Sequence, residues 1–337
     1  MSLFRNGFLL ALLCFSAVPG TCAAAQGMDA LLQADDAMNR DIMDQGNDIH
    51  AMRANMDEMD MAYSFRKSAF LNLHEFYKYA PTGPTPGNIL FLHTGYAITS
   101  AAEDLGVTSG VWNAEVVSDS KGAKVTPDLF YSGFVFGFNA GLWTAKWSPR
   151  GAPRWFYNYY VRVWRRAGGT WRLVGGPFFI NTPVGNAHSR DEPLVTEAAS
   201  PQIGRLQLAA ARSAGLDGDG EFSGVAQQQG LHAAYVHYAA DDIHLLRTYE
   251  TTIVGSGALK AETSDGASPL RLHPLDAIAA ASGDLSYTYG FIYAANDAAY
   301  SKPLEIYAHV WRHAQDGWKL VLAVVSPLQG YSVEKPK

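Results

Sequence analysis

Two stretches of the chain alternate apolar and polar positions in the same way. Residues 159–174 read YYVRVWRRAGGTWRLV and residues 307–321 read YAHVWRHAQDGWKLV. Trp164 matches Trp311, Trp171 matches Trp318, and each second Trp is followed by a basic residue, Leu and Val. Each copy is two apolar runs parted by a short polar break, the pattern of an antiparallel hairpin whose strands bury one face. Two such hairpins with both tryptophans in register predict a duplicated domain.

Upstream, Asp128-Leu129 through Gly133-Phe134-Val135-Phe136 aligns with Asp284-Leu285 through Gly290-Phe291-Ile292-Tyr293. Phe130, Phe134 and Phe136 then match Tyr287, Phe291 and Tyr293 at the period of a strand face. This alignment leaves the first copy about ten residues longer, and its Pro- and Gly-bearing stretch 144–155 is the expected insertion, since hairpin loops tolerate length.

Between these landmarks the apolar spacing predicts a helix over 28–63, continuing through 64–79 with Phe65, Ala69, Leu73, Phe76 and Tyr77, until PTGPTPG (81–87) ends it. Residues 88–98 read as a buried strand, and the polar, proline-punctuated stretch from 183 as a linker. In the second copy, helical segments near 201–214 and over 225–240 flank LDGDGEFSG (216–224). That stretch resembles part of a calcium loop but lacks its first and last ligands, so a polar turn is expected there. Asp241-Asp242 is read as a turn into the strand 243–247.

Composition narrows the class. Hydrophobic residues make up 48% against 17% charged, ample for packed cores, and the net charge of −6 without a basic cluster argues against nucleic acid and anionic membranes as partners. Arg5, the apolar run 7–18, Pro19-Gly20 and Ala23-Ala24-Ala25 form an export-signal pattern, with cleavage expected after Ala25 and a periplasmic or secreted, bacterial location. Both cysteines, Cys14 and Cys22, lie inside it, which leaves the mature chain without a thiol nucleophile or thiolate metal site. Seven of the eight methionines fall within 28–63, where their helical spacing reads as core packing in preference to a soft-metal site. The histidines have no metal-binding spacing, and hydrolase, phosphate-loop and dinucleotide motifs are absent. No cofactor or metal is expected.

Three segments together, GLHAAYVHYAADDIHLLR (230–247), GDLSYTYGFIYA (283–294) and YAHVWRHAQDGWKLVL (307–322), are similar to SnoaL-like exported domains of the nuclear transport factor 2-like superfamily. The first copy keeps the hairpin and diverges elsewhere. The resemblance implies an α+β fold of two tandem cone-shaped domains, each a strongly curved, mostly antiparallel sheet wrapped around N-terminal helices. It implies a signal peptide (1–25), a divergent SnoaL-like domain (26–182), a linker (183–200) and a second SnoaL-like domain (201–330), paired sheet to sheet within the chain. It also implies a small, largely apolar ligand in one cone, held without chemistry. Tyr235, Tyr238, His244, Tyr287, Tyr289, Tyr293 and His309 are the candidate lining. The alternatives are an isomerase- or cyclase-type enzyme using Asp242, His237, His244 or His309 with tyrosine donors, and a purely structural pseudo-dimer.

Overall fold

The computed structural model describes residues 19–45, 51, 54–55, 63–65, 68–71, 89–115, 155–181, 194–198, 207–247, 250, 252–262 and 269–327. The expected repeat segment 128–136, the expected insertion up to residue 154, and Met52, Met56 and Met59 lie outside the described residues.

Each copy is a helix laid across one face of a curled sheet. In the first, α1 (Pro19–Gln45) packs on a five-stranded sheet of order β6-β5-β4-β3-β7. Its strands are β3 (Ile89–Thr99), β4 (Leu105–Glu115), β5 (Trp155–Ala167), β6 (Thr170–Asn181) and β7 (Val195–Ala198). Strand β7, inside the span expected to be linker, pairs in parallel with β3. In the second, α2 (Leu208–Gln229), α3 (Leu231–Tyr238) and α4 (Ser256–Ala261) accompany a six-stranded sheet of order β10-β11-β12-β13-β8-β9. Its strands are β8 (Ala239–Arg247), β9 (Ile253–Val254), β10 (Leu270–Ala279), β11 (Leu285–Ala294), β12 (Glu305–Ala314) and β13 (Gly317–Pro327).

The duplication is real, and its register differs from the expected one. Leu105 and Gly106 pair with Arg165 and Trp164, as Leu285 and Ser286 pair with Arg312 and Trp311. The strand equivalent to β11 is therefore β4, not a strand around 133–136. The turns repeat bond for bond: Ser100 N donates to Leu105 O and Arg166 N to Asp104 O, as Ala280 N does to Leu285 O and His313 N to Asp284 O, each at 2.9 Å. Both copies carry a bulge in the preceding strand, at Gly95 and at Leu275. The glycine opposite each bulge is sterically required. A Cβ on Gly110 would lie 2.0 Å from His93 O, and one on Gly290 2.2 Å from His273 O. The extra length of the first copy is residues 116–154, between β4 and β5, where the second has only 295–304.

Three further expectations are corrected. Residues 63–65 and 68–71 are not helix but the short antiparallel strands β1 and β2, with β1 beside β6. Apolar spacing in so short a run does not separate the two periods, and tertiary pairing decides. The 216–224 stretch is not a turn, because α2 runs through it. Asp241 and Asp242 lie within β8.

The convex faces of the two sheets meet. Tyr96, Ile98, Leu105, Val107, Val161, Val163 and Val174 of the first copy share one buried cluster with Leu246, Leu285, Tyr287, Ala308, Val310 and Val324 of the second. The contact is isologous: Ala101 N donates to Asp284 Oδ2 and, reciprocally, Ala281 N donates to Asp104 Oδ2, both at 2.8 Å. The chain is a pseudo-dimer with itself. Fully burying each valine or leucine contributes roughly 1.5–3 kcal/mol, so this seam is the main tie between the copies.

His244 sits at that seam, its ring 4.3 Å from the Tyr96 ring. Burial lowers its pKa from the ordinary 6.5, with Asp242 acting in the opposite direction. The unfolded chain then binds a proton that the folded chain refuses, so stability present above pH 6.5 is lost as pH falls toward the lower folded value. His244→Phe is expected to flatten this part of a pH–Tm profile recorded between pH 7.5 and 5. An unchanged profile would show that His244 does not couple to folding.

Candidate functional site

Alternation along β12 divides its side chains. Ile306, Ala308 and Val310 face the seam, while Tyr307, His309 and Trp311 face the helices. A polar side chain between two buried aromatics needs a partner, and α2 supplies one. Asp219, fully buried, accepts from Tyr307 Oη at 2.8 Å, His309 Nδ1 at 2.8 Å and Trp311 Nε1 at 3.1 Å. With Nδ1–H donated to Asp219, the far nitrogen Nε2 of His309 accepts from the Tyr235 hydroxyl at 3.3 Å. Burial, and then the charge of Glu305, raises the pKa of Tyr235 well above 10, so it remains a donor.

The helix reaches this depth because its interior is glycine-rich. A Cβ on Gly215 would lie 2.4 Å from Ser286 Oγ, so only glycine lets α2 lie this close to β11. The DGDG run that reads as a turn lies within this helix, one turn on from the close contact at Gly215.

The first copy has the same node in different chemistry. Asp35 of α1, fully buried, accepts from Tyr160 Oη at 2.7 Å, Thr94 Oγ1 at 2.6 Å, Thr108 Oγ1 at 2.8 Å and Arg162 Nη1 at 2.7 Å. Asn39 Oδ1 takes a further bond from Arg162 Nη1 at 2.8 Å. Tyr160, Arg162 and Trp164 thus stand where Tyr307, His309 and Trp311 stand in the second. Neither aspartate was identifiable as a node in advance. The available signal was Arg162 and His309, each on a strand face otherwise destined for burial.

The candidate lining residues divide between two faces. Tyr235 and His309 meet inside the second cone, joined by Tyr238, which packs edge-on to Trp311 with ring centres 5.7 Å apart. His244, Tyr287 and Tyr289 lie instead on the seam side of the sheet. Tyr293 stands on that side too, beyond the seam, beside Tyr300 and His273. Asp242 is held by Arg312 through both carboxylate oxygens, at 2.9 and 2.8 Å. His237 stands exposed on α3 against Tyr238.

One cone residue was missed altogether. Glu305, two positions before Tyr307, shares the helix-facing side of β12, and its charge reaches Tyr235. Burial first, then the nearby Glu250, raises its pKa, against the pull of Arg247. Arg247 is itself bound to Glu250 and Glu262. Among the described residues Glu305 has no hydrogen-bond or ion-pair partner. The register places Asn158 at this position in the first copy.

No group of three or more His, Cys, Asp or Glu side chains among the described residues is placed to hold a metal ion, and no described helix is long and apolar enough to cross a membrane. No family model matches the chain, and no curated protein matches it. Solved structures of nuclear transport factor 2-like and cystatin-like fold do align with part of it. One is a nuclear transport factor 2-like protein with a cystatin-like fold from Novosphingobium aromaticivorans (15% identity, 37% of this chain and 86% of that one, TM-score 0.29). Another is a protein of unknown function with a cystatin-like fold from Nostoc punctiforme (13%, 37% and 95%, TM-score 0.29). A third is a nuclear transport factor 2-like protein of unknown function from Pseudomonas putida (15%, 40% and 95%, TM-score 0.28). Each alignment covers less than half of this chain, and none of the three is named for an activity.

Proposed function

We propose that this is an exported protein whose second cone binds a small, largely apolar molecule bearing one polar group, while the first cone and the seam act as scaffold. Glu305 is the observation that carries the reading. A mostly buried carboxyl group without a partner among the described residues costs free energy, and a ligand that hydrogen-bonds to it offsets that cost. Tyr235 lies near enough for the charge of Glu305 to raise its pKa, and the half-buried Tyr238 adds apolar surface. The first copy has Asn158 at the position of Glu305 and an arginine, Arg162, at the position of His309, which argues for a structural role there. Export rests on the N-terminal signal pattern.

A second reading is an enzyme moving a proton. Glu305 also favours it, since a carboxyl with a raised pKa beside a tyrosine hydroxyl can exchange a proton with a bound molecule. Asp219 and His309 are poorer candidates because each is already engaged by the other.

Native mass spectrometry of protein purified from its host should show a co-purifying small molecule, lost in Glu305→Gln and retained in Asn158→Asp. A ligand-free spectrum, or an equal load in Glu305→Gln, would sink the binding reading. Conversion of that molecule to a product by wild type but not by Glu305→Gln would favour the enzyme.

Stability provides a check that needs no ligand. With its folded pKa raised above 4.5, Glu305 contributes fully below that pH and loses its contribution as pH rises through the folded value. Glu305→Gln is expected to melt higher than wild type at pH 8, with the gap closing toward pH 4.5.

A further inference from the structure

The end of the second sheet away from the seam carries another polar–aromatic cluster. Arg271 and His273 on β10 lie across from Tyr293 and Phe291 on β11. The 295–304 connection lays Tyr300 over them. The Arg271 guanidinium carbon is 4.1 Å from the Tyr300 ring centre, the His273 ring 4.4 Å away at 35°, and the Tyr293 ring 5.1 Å away, edge-on. Tyr300 holds a φ of 51°, and Asp297 ties its loop by accepting from Ser301 N and Lys302 N, each at 2.9 Å. The ring is therefore in place before any ligand arrives.

Arg271 is unusual in its partners. Its Nη2 donates to the Tyr300 hydroxyl, its Nε is buried without a partner, and among the described residues no carboxylate pairs with it. Asp297, whose charge reaches Tyr293, is already met by the backbone amides of Ser301 and Lys302. A guanidinium stacked on a ring keeps its remaining N–H donors in plane, which suits bidentate pairing with a carboxylate and contact of a planar body with the neighbouring rings.

We propose that Arg271, His273, Tyr293 and Tyr300 form a second ligand site, outside the cone, for a small planar organic carboxylate. The site needs no covalent step and does not depend on the reading of Glu305.

The test uses the full chain, with benzoate as probe and benzyl alcohol as its uncharged counterpart, followed by isothermal titration calorimetry at low salt. Saturable benzoate binding is expected, at least tenfold weaker in Arg271→Gln and several-fold weaker in Arg271→Lys, which keeps the charge without the planar fork. Benzyl alcohol, which lacks the carboxylate, should show no binding that depends on Arg271. Should Arg271→Gln fail to fold, Arg271→Lys decides. The proposal is overturned by no benzoate binding in wild type, or by wild-type affinity in the folded Arg271 variants.

Discussion

Replacing Asp35 with alanine is expected to cost about 3–5 kcal/mol, the range for removing one partner of a buried ion pair. Arg162, 1% exposed, is a guanidinium that stays charged, and the variant would leave Asn39 as its one hydrogen-bond partner among the described residues. Asp219→Ala should also be costly, about 1–3 kcal/mol for each donor left unsatisfied, with Trp311 Nε1 keeping Thr288 Oγ1 at 3.3 Å. Urea denaturation would rank the two. The double variant Asp35→Ala/Arg162→Met should recover much of the single-variant loss, since an apolar replacement of a buried pair is often tolerated. An Asp35→Ala loss below about 1 kcal/mol, within the range of a surface ion pair, would show that the node is not buried as described.

Those two nodes mark where sequence reasoning succeeded and where it stopped. The Trp164 and Trp311 hairpins were legible because strand alternation, turn residues and matched tryptophans all agree. Sheet-to-sheet pairing was implied by the resemblance to SnoaL-like domains, and the aromatic-rich strand faces agreed with it. Asp219 was hidden because Asp-Gly-Asp-Gly is turn chemistry by local preference, and the buried contacts that hold it in a helix leave no mark in the sequence. The upstream repeat slipped for a related reason. Gly133-Phe134-Val135-Phe136 imitates the aromatic rhythm of β11, whereas the true counterpart, Asp104-Leu105 through Gly110, keeps the turn, the bulge and the glycine with few aromatics. Glu305 carried no motif at all. Its interest comes from burial and from having no side-chain partner among the described residues, and neither has a one-dimensional signature.

The seam supplies the second large effect. Leu105 and Leu285 are pseudo-symmetric, 1% and 0% exposed, and both lie in the shared cluster. Either leucine changed to alanine should destabilise the protein by about 2–5 kcal/mol, the usual cost of such a cavity, and by similar amounts because their surroundings match. Both copies are expected to unfold in one transition in each variant, since neither can lose the seam alone. If tryptophan fluorescence and far-ultraviolet circular dichroism gave separate transitions already in wild type, the copies would be independent domains.

The pairing itself can be tested by a covalent bridge. The Ala102 amide reaches the Ser282 hydroxyl at 3.1 Å, so cysteines at these positions stand within a side chain's reach of each other across the seam. Full-length protein carrying Cys14→Ser, Cys22→Ser, Ala102→Cys and Ser282→Cys should close a disulfide within one chain on mild oxidation, leaving no free thiol and migrating faster on a non-reducing gel. Two persistent free thiols in the folded, oxidised protein, or bridges only between chains, would contradict the pairing of the two copies.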